Sequence, residues 1–515
     1  MSNSAILGLV NHFISRLSEV YNESLTHRLL DRVCGKLKGC FAGSAFVSFI
    51  RSGENTSRFF RSSLFSKILQ GAICGLTGLL KKIVIAASGP AGSSTAVSIL
   101  RGSTVGKVAG WVFKRFVLTI CFFIFIQSTV PHQYWHNQYG AIMIALVALL
   151  YLLKAAVDAR YRPDTGKLDF AHILFFISTA AATFTSITPA SSFRIFLFNA
   201  MSFVLVLVMV NTMRSEHEIG LVIYWVLAAT SVTCFLGLWQ YIRGVEVDPL
   251  LVDVTFGSVG RVISSMDNPN NYAEYLLLTI PFFGAAFFNT KKTYEKCILV
   301  CLTLLSLAVL VLTSSRGSWI SFAVSLFVFI FFKNRKLLLP LAVIGVAAVP
   351  FLPSSIIARL NTIGRDTSSL YRLSIWTGSW RILQDYWMTG TGLGTEPFMK
   401  LFIRYTDVQL PVHSHMLMMQ VWIETGLAGL LSFVWMIVRL VKKSAASVFG
   451  KKNGYLENII IACISSLAGI LVMGLVEYVW FYPRILVMFW FNIGILTAAL
   501  NLRPEAAHAG LREDC

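Results

Sequence analysis

Three short clusters of cationic or basic side chains could do chemistry in this chain. Arg316 stands in the segment TSSRGSW, Arg372 stands in YRLSIW, and His413 and His415 stand in PVHSHM. An arginine presents a planar fork of N–H donors that matches a phosphate group bidentately. Two such forks would hold a lipid-linked diphosphate and stabilise the negative charge that develops as it leaves.

The two histidines add an acid–base group. An imidazole with an unperturbed pKa of about 6.5 can take a proton from an acceptor hydroxyl at neutral pH. Arginine and histidine without a cluster of metal ligands suit transfer of a glycosyl group from a diphosphate carrier, so we predict no metal and no cofactor. Plainer roles stay open, because arginines at helix ends commonly only reach the headgroups. Histidines at the start of a span are more often structural.

Long uninterrupted apolar segments must position these residues. Hydrophobic residues make up 56% of the chain and charged residues only 13%, so lipid must be the solvent for much of the surface. The apolar runs are continuous rather than alternating, which favours helices over a barrel. We predict an all-α integral membrane protein with about twelve transmembrane helices. They are placed near 115–130, 138–157, 170–188, 193–212, 219–241, 272–289, 297–314, 317–333, 337–352, 417–441, 458–479 and 484–502.

The charges of the predicted turns set the orientation. Alternate turns are rich in lysine and arginine, whereas the short turns 131–138 and 187–192 contain neither. Basic turns stay in the cytoplasm, so the N-terminus is predicted to be cytoplasmic and the three clusters extracytoplasmic. The basic turns carry Arg160, Arg162, Lys167, Arg214, Lys291, Lys292, Lys296, Lys333, Arg335, Lys336, Lys442, Lys443, Lys451 and Lys452.

One predicted outer loop is much longer than the others and spans about 353–416; a second covers roughly 242–271. In the longer loop, Leu373, Trp376, Trp380, Leu383 and Trp387 recur at spacings of three and four, as on one face of a helix. Such a tryptophan-rich amphipathic helix can lie at the outer interface, or it can pack against the spans; both alternatives stay open. The segment GTGLG at 390–394 follows no predicted strand, so we predict a turn there and no nucleotide loop.

The chain divides into a basic region and a membrane domain. Residues 1–113 are predicted to lie on the inner leaflet as a basic amphipathic region, and residues 114–515 form the polytopic domain. The net charge of +19 is concentrated ahead of the first predicted span. This placement suits anionic headgroups and the positive-inside rule, so we predict contact with membrane lipids and not with nucleic acid.

Four segments in order resemble the O-antigen ligase/polymerase family of membrane glycosyltransferases. They are RVISSMDNPNNYAEYLLLTIP, TSSRGSWIS, YRLSIWTGSWRILQDYWMTGTGLG and HSHMLMMQVWIETGLAG. The resemblance covers a core of about 261–441, roughly a third of the chain. The series is far more specific than any single motif.

The resemblance implies a fold of the GT-C type, a glycan donor carried on undecaprenyl diphosphate, and transfer without a metal. It implies that Arg316 and Arg372 bind the donor diphosphate and that His415 activates the acceptor. Glu424 lies in the ETGLAG stretch that follows this histidine, and it and His413 are candidate accessory residues. Met416 departs from the family, which usually has a small polar residue there; the departure would either weaken ligase-type chemistry or mark a subfamily with another acceptor.

We therefore expect a glycosyltransferase of the bacterial inner (plasma) membrane, with its active site on the extracytoplasmic side, in surface polysaccharide or lipopolysaccharide biosynthesis. The acceptor could be a lipid, a glycan or a protein, and ligation and polymerisation are not separable. A transporter or flippase of lipid-linked oligosaccharide is the alternative, although the chain shows no evident repeated halves. A non-catalytic scaffold is a third hypothesis.

Overall fold

Helices make up the regular secondary structure of the part of the chain that the structure describes, which contains no strand. The computed structural model describes residues 64–91, 103–244, 261–348, 367–406, 411–450 and 454–503, with isolated positions between 350 and 364. The helices are α1 Leu64–Ala91, α2 Thr104–Lys114, α3 Val117–Thr129, α4 Asn137–Val157, α5 Phe170–Phe184, α6 Pro189–Thr212, α7 Glu216–Arg243, α8 Pro269–Asn289, α9 Thr293–Leu312, α10 Arg316–Asn334, α11 Leu338–Ala348, α12 Thr367–Tyr386, α13 Thr395–Tyr405, α14 Leu417–Gly450, α15 Tyr455–Met473 and α16 Pro483–Asn501. The contacts discussed below lie within the compact unit Ile68–Cys515.

Local sequence explains where several helices begin. Ser215 accepts a hydrogen bond from the backbone N–H of Glu218, and Asn268 accepts one from the backbone N–H of Asn271. These side chains satisfy N–H groups that have no partner within the helix. Proline opens α6, α8 and α16, where its fixed φ suits the first turn and its missing N–H costs nothing.

Every predicted span corresponds to a helix. Within the described residues, seven helices are long and apolar enough to cross a membrane. They are α4, α6, α7, α9, α14, α15 and α16, and two shorter apolar helices, α3 and α5, accompany them. The predicted span 337–352 coincides with α11, which has only 11 residues, about half of what a bilayer requires. The rest of that segment is largely outside the described residues. A multi-pass helical membrane protein is thus confirmed, and the count of about twelve spans stays a prediction.

The last two helices form the centre of the bundle. The apolar windows of α15 and α16 are 83% and 89% buried, whereas the window of α9 is only 22% buried. α15 packs against α8 and α10, and α16 packs against α6. Because these central helices are connected by the turn 474–482, that turn is held rigidly against the surrounding helices.

The described part of the predicted long loop contains α12 and α13, and residues 351–366 and 407–410 lie largely outside the described residues. α12 buries Ile375, Ile382 and Leu383 against Phe398 and other residues of α13 and α14. In the predicted tryptophan stripe, Leu373, Trp380 and Trp387 are exposed, whereas Leu383 is buried. The buried face of α12 is thus a different one, and the exposed residues favour the interfacial alternative.

α1 lies within the predicted inner-leaflet region, most of which lies outside the described residues. It has 28 residues. The Gln70 amide donates to the carbonyl oxygen of Pro163 and accepts from Thr165. This contact joins α1 to the turn 158–168, which the charge pattern places in the cytoplasm. The cytoplasmic location of the region remains a prediction.

Candidate active site

Glu477 is the centre of a cluster that joins two predicted site residues. It lies on the turn between α15 and α16, and one carboxylate oxygen, Oε2, lies 3.2 Å from Nη2 of Arg372. The other oxygen, Oε1, lies 2.7 Å from Nδ1 of His415. The exposed fractions of the three side chains are 11%, 23% and 22%, respectively, so the cluster is mostly shielded but reachable from outside.

Further donors hold the carboxylate of Glu477. The backbone N–H of Tyr478 lies 3.2 Å from Oε1, and the amide nitrogen of Asn270 lies 3.4 Å from Oε2. The Arg261 guanidinium donates to Asn270 and to the carbonyl oxygen of Thr313. Segments around 261–270, 313, 372, 415 and 477 therefore meet at one end of the bundle.

The charge state of Glu477 follows from this environment. Burial alone would raise the pKa of Glu477, but the His415 hydrogen bond and the charges of His415 and Arg372 outweigh it. They lower the pKa of Glu477 to about 2. The group is therefore an ionised carboxylate at neutral pH, and such a carboxylate can only accept hydrogen bonds.

His415 is oriented by this carboxylate and by its own backbone. Because Glu477 can only accept, Nδ1 of His415 donates to it, so in the neutral imidazole the lone pair lies on Nε2. The backbone of His415 has a φ of 51°, a left-handed conformation that a non-glycine residue adopts at a cost. Its N–H donates to Nδ1 of His413 at 3.2 Å, and the neighbouring Ser414 N–H donates to Gln420. The imidazole is thus held with a basic nitrogen available.

His413 has a different role from His415. Its side chain is 4% exposed, and its ring centroid lies 4.1 Å from that of His415. Burial, together with the nearby His415, lowers the pKa of His413 to about 3, so the ring is neutral at physiological pH. We interpret His413 as a packing partner that accepts the backbone N–H of His415.

Arg316 is the first residue of α10 and is partly buried. A Cβ on the adjacent Gly317 would lie 3.1 Å from side-chain atoms of both Met473 and Val476, and Val476 precedes Glu477. The start of α10 therefore packs beside the turn that carries the carboxylate. The structure joins Arg372 and His415 through direct contacts with one group, and it brings the Arg316 segment next to them.

Glu424 lies apart from this cluster and fixes a loop. It accepts hydrogen bonds from Gln420, from the backbone N–H of Gly394 and from the hydroxyl of Tyr478. The GTGLG segment forms an irregular turn beside it, and the backbone N–H of Gly392 donates to the carbonyl oxygen of Glu424. Glu424 therefore connects this turn to α14.

Sequence reasoning missed Glu477 and Arg261. The predicted span 458–479 placed Glu477 inside a helix, but α15 ends at Met473 and Gly474 follows as its cap. Glycine is the usual residue just beyond a helix end. The sequence signal for the site was an isolated acidic residue, Glu477, three residues after Gly474. The partners of that acid were not visible in the sequence, because they come from segments more than 60 residues away.

The same groups could hold a divalent cation. Three residues, His413, His415 and Glu477, each offer one ligand atom, and these atoms lie within 4.8 Å of one another. Two histidines with a carboxylate are a common zinc ligand set. Arg372 contacts the same carboxylate, and its positive charge opposes a dication at this point. Binding a metal would also break the hydrogen bond between His415 and Glu477.

Comparison with known proteins identifies one domain. Residues 301–434 match the family model described as O-antigen ligase. The matched part contains Arg316, Arg372, His415 and Glu424 and ends before Glu477. No curated protein matches the chain. The match confirms the resemblance to the O-antigen ligase/polymerase family over this region and indicates a membrane glycosyltransferase-like role in polysaccharide biosynthesis.

Proposed function

We propose, because residues 301–434 match the O-antigen ligase family model, that this protein transfers a saccharide from a polyprenyl diphosphate to an acceptor. The donor is undecaprenyl-diphosphate-linked glycan, and the reaction takes place at the extracytoplasmic side of the bacterial inner membrane. The observation that carries the proposal is the bridge from Arg372 through Glu477 to His415. Arg372 and His415 contact different oxygens of one carboxylate, which supports roles for them as a phosphate-binding cation and an oriented base.

Arginines supply the donor site. Arg372 contacts Glu477 through Nη2, and its side chain is 23% exposed. The other N–H groups of its guanidinium can therefore bind a diphosphate oxygen. Arg316 begins α10 beside the same turn, where the N-terminal end of a helix also favours an anion. Both charges would stabilise the diphosphate as it gains negative charge in the transition state.

His415 supplies the base. Its Nε2 takes the proton from the acceptor hydroxyl while that oxygen forms a bond to the anomeric carbon of the donor sugar. The bond between that carbon and the phosphate oxygen breaks, and undecaprenyl diphosphate leaves with the bonding electron pair. Glu477 stabilises the imidazolium that forms and keeps the ring in the required orientation, as the carboxylate does in hydrolase triads.

The acceptor remains open between two classes. Ligation would use a lipid, a glycan or a protein, and polymerisation would use another lipid-linked repeat. Met416 stands where the family usually has a polar residue, and its carbonyl oxygen accepts from the Ser414 hydroxyl. The backbone next to His415 is thus held without a polar side chain at position 416.

Transfer by the purified full-length protein tests the proposal. The protein in proteoliposomes is incubated with an undecaprenyl-diphosphate-linked oligosaccharide and an acceptor lipid, and the products are sized. Wild type should consume the donor, a ladder indicating polymerase and a single step indicating ligase. His415→Ala, Arg372→Ala and Arg316→Ala should each lose about 10²-fold or more of the rate.

Arg404→Ala is the matched control, because Arg404 is an exposed arginine of α13 in the same loop region. It should retain the wild-type rate. Full transfer by all three site variants would overturn the assignment, and donor movement across the bilayer without transfer would indicate a flippase instead. A rate unchanged by EDTA is expected for metal-independent transfer, and loss of the rate on chelation with recovery on adding Zn²⁺ would contradict it.

A further inference from the structure

A second cationic group lies buried near the same end of the bundle and has no role in the transfer chemistry. Arg484, on the first turn of α16, is only 2% exposed. Its Nη1 donates to the carbonyl oxygen of Ser265 at 3.0 Å. Its Nε and Nη2 have no hydrogen-bond partner among the residues that the structure describes. A guanidinium has five N–H donors, so most of its capacity is unused.

Arg484 also lacks a neutralising carboxylate among the described residues within ion-pair distance. Asp267 interacts with Arg484 electrostatically from beyond that distance. The carboxylate of Asp267 accepts a hydrogen bond from Asn271 instead. The ring of Trp135 lies 4.3 Å from its Cζ atom and gives a partial cation–π stabilisation. Burying an unpaired charge costs free energy, and a bound group of opposite charge would reduce that cost.

A cleft adjoins this arginine. It is bounded by α3, α4, α6 and α16 and encloses about 270 Å³ of empty space including its mouth. Gln127, Trp135 and Asn137 line its polar part, and Ala141 and Phe198 line its apolar part. The space inside the cleft is about that of one water molecule, so it can take a single phosphate oxygen and the rest of the phosphate group would lie at its mouth.

We propose that the cleft beside Arg484 binds the phosphate group of a membrane lipid. The fork geometry of arginine matches phosphate oxygens. Ile142 and Leu197, which adjoin the lining residues on α4 and α6, are 61% and 41% exposed, so acyl chains have an apolar surface to follow. Gln127, whose Oε1 has no partner, can accept from a headgroup hydroxyl such as those of phosphatidylglycerol.

Lipid binding to the delipidated full-length protein in detergent tests this proposal independently of transfer. Dioleoylphosphatidylglycerol should raise the melting temperature of wild type, and native mass spectrometry should show one retained lipid. Arg484→Gln should weaken binding by about tenfold or more, because the charged hydrogen bonds are lost. Dioleoylglycerol, which lacks the phosphate, should neither stabilise nor remain bound.

Ala141→Leu keeps Arg484 and fills the cleft, so it tests the site even where Arg484→Gln fails to fold. It should also lose the retained lipid, while its melting temperature without lipid stays near that of wild type. Arg194→Gln is the matched control, because Arg194 is an exposed arginine on the first turns of α6, and it should bind like wild type. Wild-type binding by both cleft variants, or equal stabilisation by dioleoylglycerol, would overturn the proposal. Equal stabilisation by inorganic phosphate would assign the cleft to a free anion instead of a lipid.

Discussion

Glu477 joins residues that are distant in the chain, and it shows how one carboxylate can contact both a cation and a base. Its two oxygens contact Arg372 and His415 separately. Removing its charge would therefore have opposite effects on the two partners. The base would lose its orienting acceptor, whereas the arginine would be released for phosphate.

Glu477→Gln should separate these effects. We expect kcat to fall about 10²–10⁴-fold, as for loss of a positioned acid–base group, while the KM for the lipid-linked donor does not rise. Steady-state kinetics over donor concentration measure both constants. Glu477→Asp should recover part of kcat. A rise in KM with an unchanged kcat would show that Glu477 only shapes the donor site.

His413 should make the protein sensitive to mild acid. Its pKa is lowered to about 3 in the folded protein, compared with about 6.5 in an unfolded chain. Between these values the unfolded state binds more protons, so stability rises with pH over this window and falls as pH drops from about 6.5 towards 3. The groups around His413 that carry charge are His415, Glu477 and Arg372.

The melting temperature of wild type should thus fall between pH 7 and pH 5, and His413→Asn should flatten this dependence. Asparagine keeps an acceptor for the His415 N–H but does not titrate. His217→Asn, at an exposed histidine of α7, serves as the control and should leave the slope unchanged. Parallel curves for wild type and His413→Asn would contradict the assignment.

At the level of elements, α14 contains a break that the loop after α12 requires. Gly426 has a φ of 66°, and a Cβ there would lie 2.2 Å from the carbonyl oxygen of Met388. Gly390 has a φ of 70° and faces the backbone of Glu424 and Gly426 at similar range. Both glycines allow two backbones to approach closely, and this contact holds the loop after α12 against α14.

Gly426→Ala should therefore destabilise the protein by about 2 kcal/mol or more, because the left-handed conformation and the clash both penalise a side chain. The melting temperature in detergent measures the effect. Gly78→Ala in α1 is the matched control, since a Cβ there has no neighbour within 4 Å, and it should be neutral or slightly stabilising. Equal behaviour of the two variants would mean that the contact is not tight.

At the scale of the whole molecule, a buried ion pair connects α5 to the end of α14 that lies far from His415. Asp169, the N-cap of α5, accepts from Nε and Nη2 of Arg439 at 2.8 and 2.7 Å and from Nζ of Lys443 at 2.5 Å. Asp169 and Arg439 are both nearly inaccessible. The pair joins α5 to α14 across 270 residues of sequence.

Asp169→Asn should cost about 3–5 kcal/mol, because it leaves the Arg439 guanidinium buried without its counter-charge. Asp169→Asn combined with Arg439→Met should recover much of the loss. Thermal unfolding of the three variants in one detergent measures this. Glu396→Gln, at an ion pair with Lys400 in which both side chains are exposed, should change the melting temperature little. A double variant as unstable as the single one would show that the charges are not coupled.

Much of the architecture follows from local composition. Each long apolar run became a helix because a lipid environment leaves the backbone few alternatives, and the basic turns predicted an orientation from charge alone. The ordered motifs around Arg316, Arg372 and His415 indicated the O-antigen ligase resemblance, which the match over residues 301–434 confirmed. These are properties that each segment carries by itself.

The tertiary structure decided which of these residues meet. It ended α15 at Met473, which moved Glu477 from a predicted span into a turn beside His415. It buried the face of α12 that contains Ile375 rather than the one that contains Trp380, and it left Arg484 buried beside a cleft. Burial and pairing depend on neighbours from distant parts of the chain, so no local pattern encodes them.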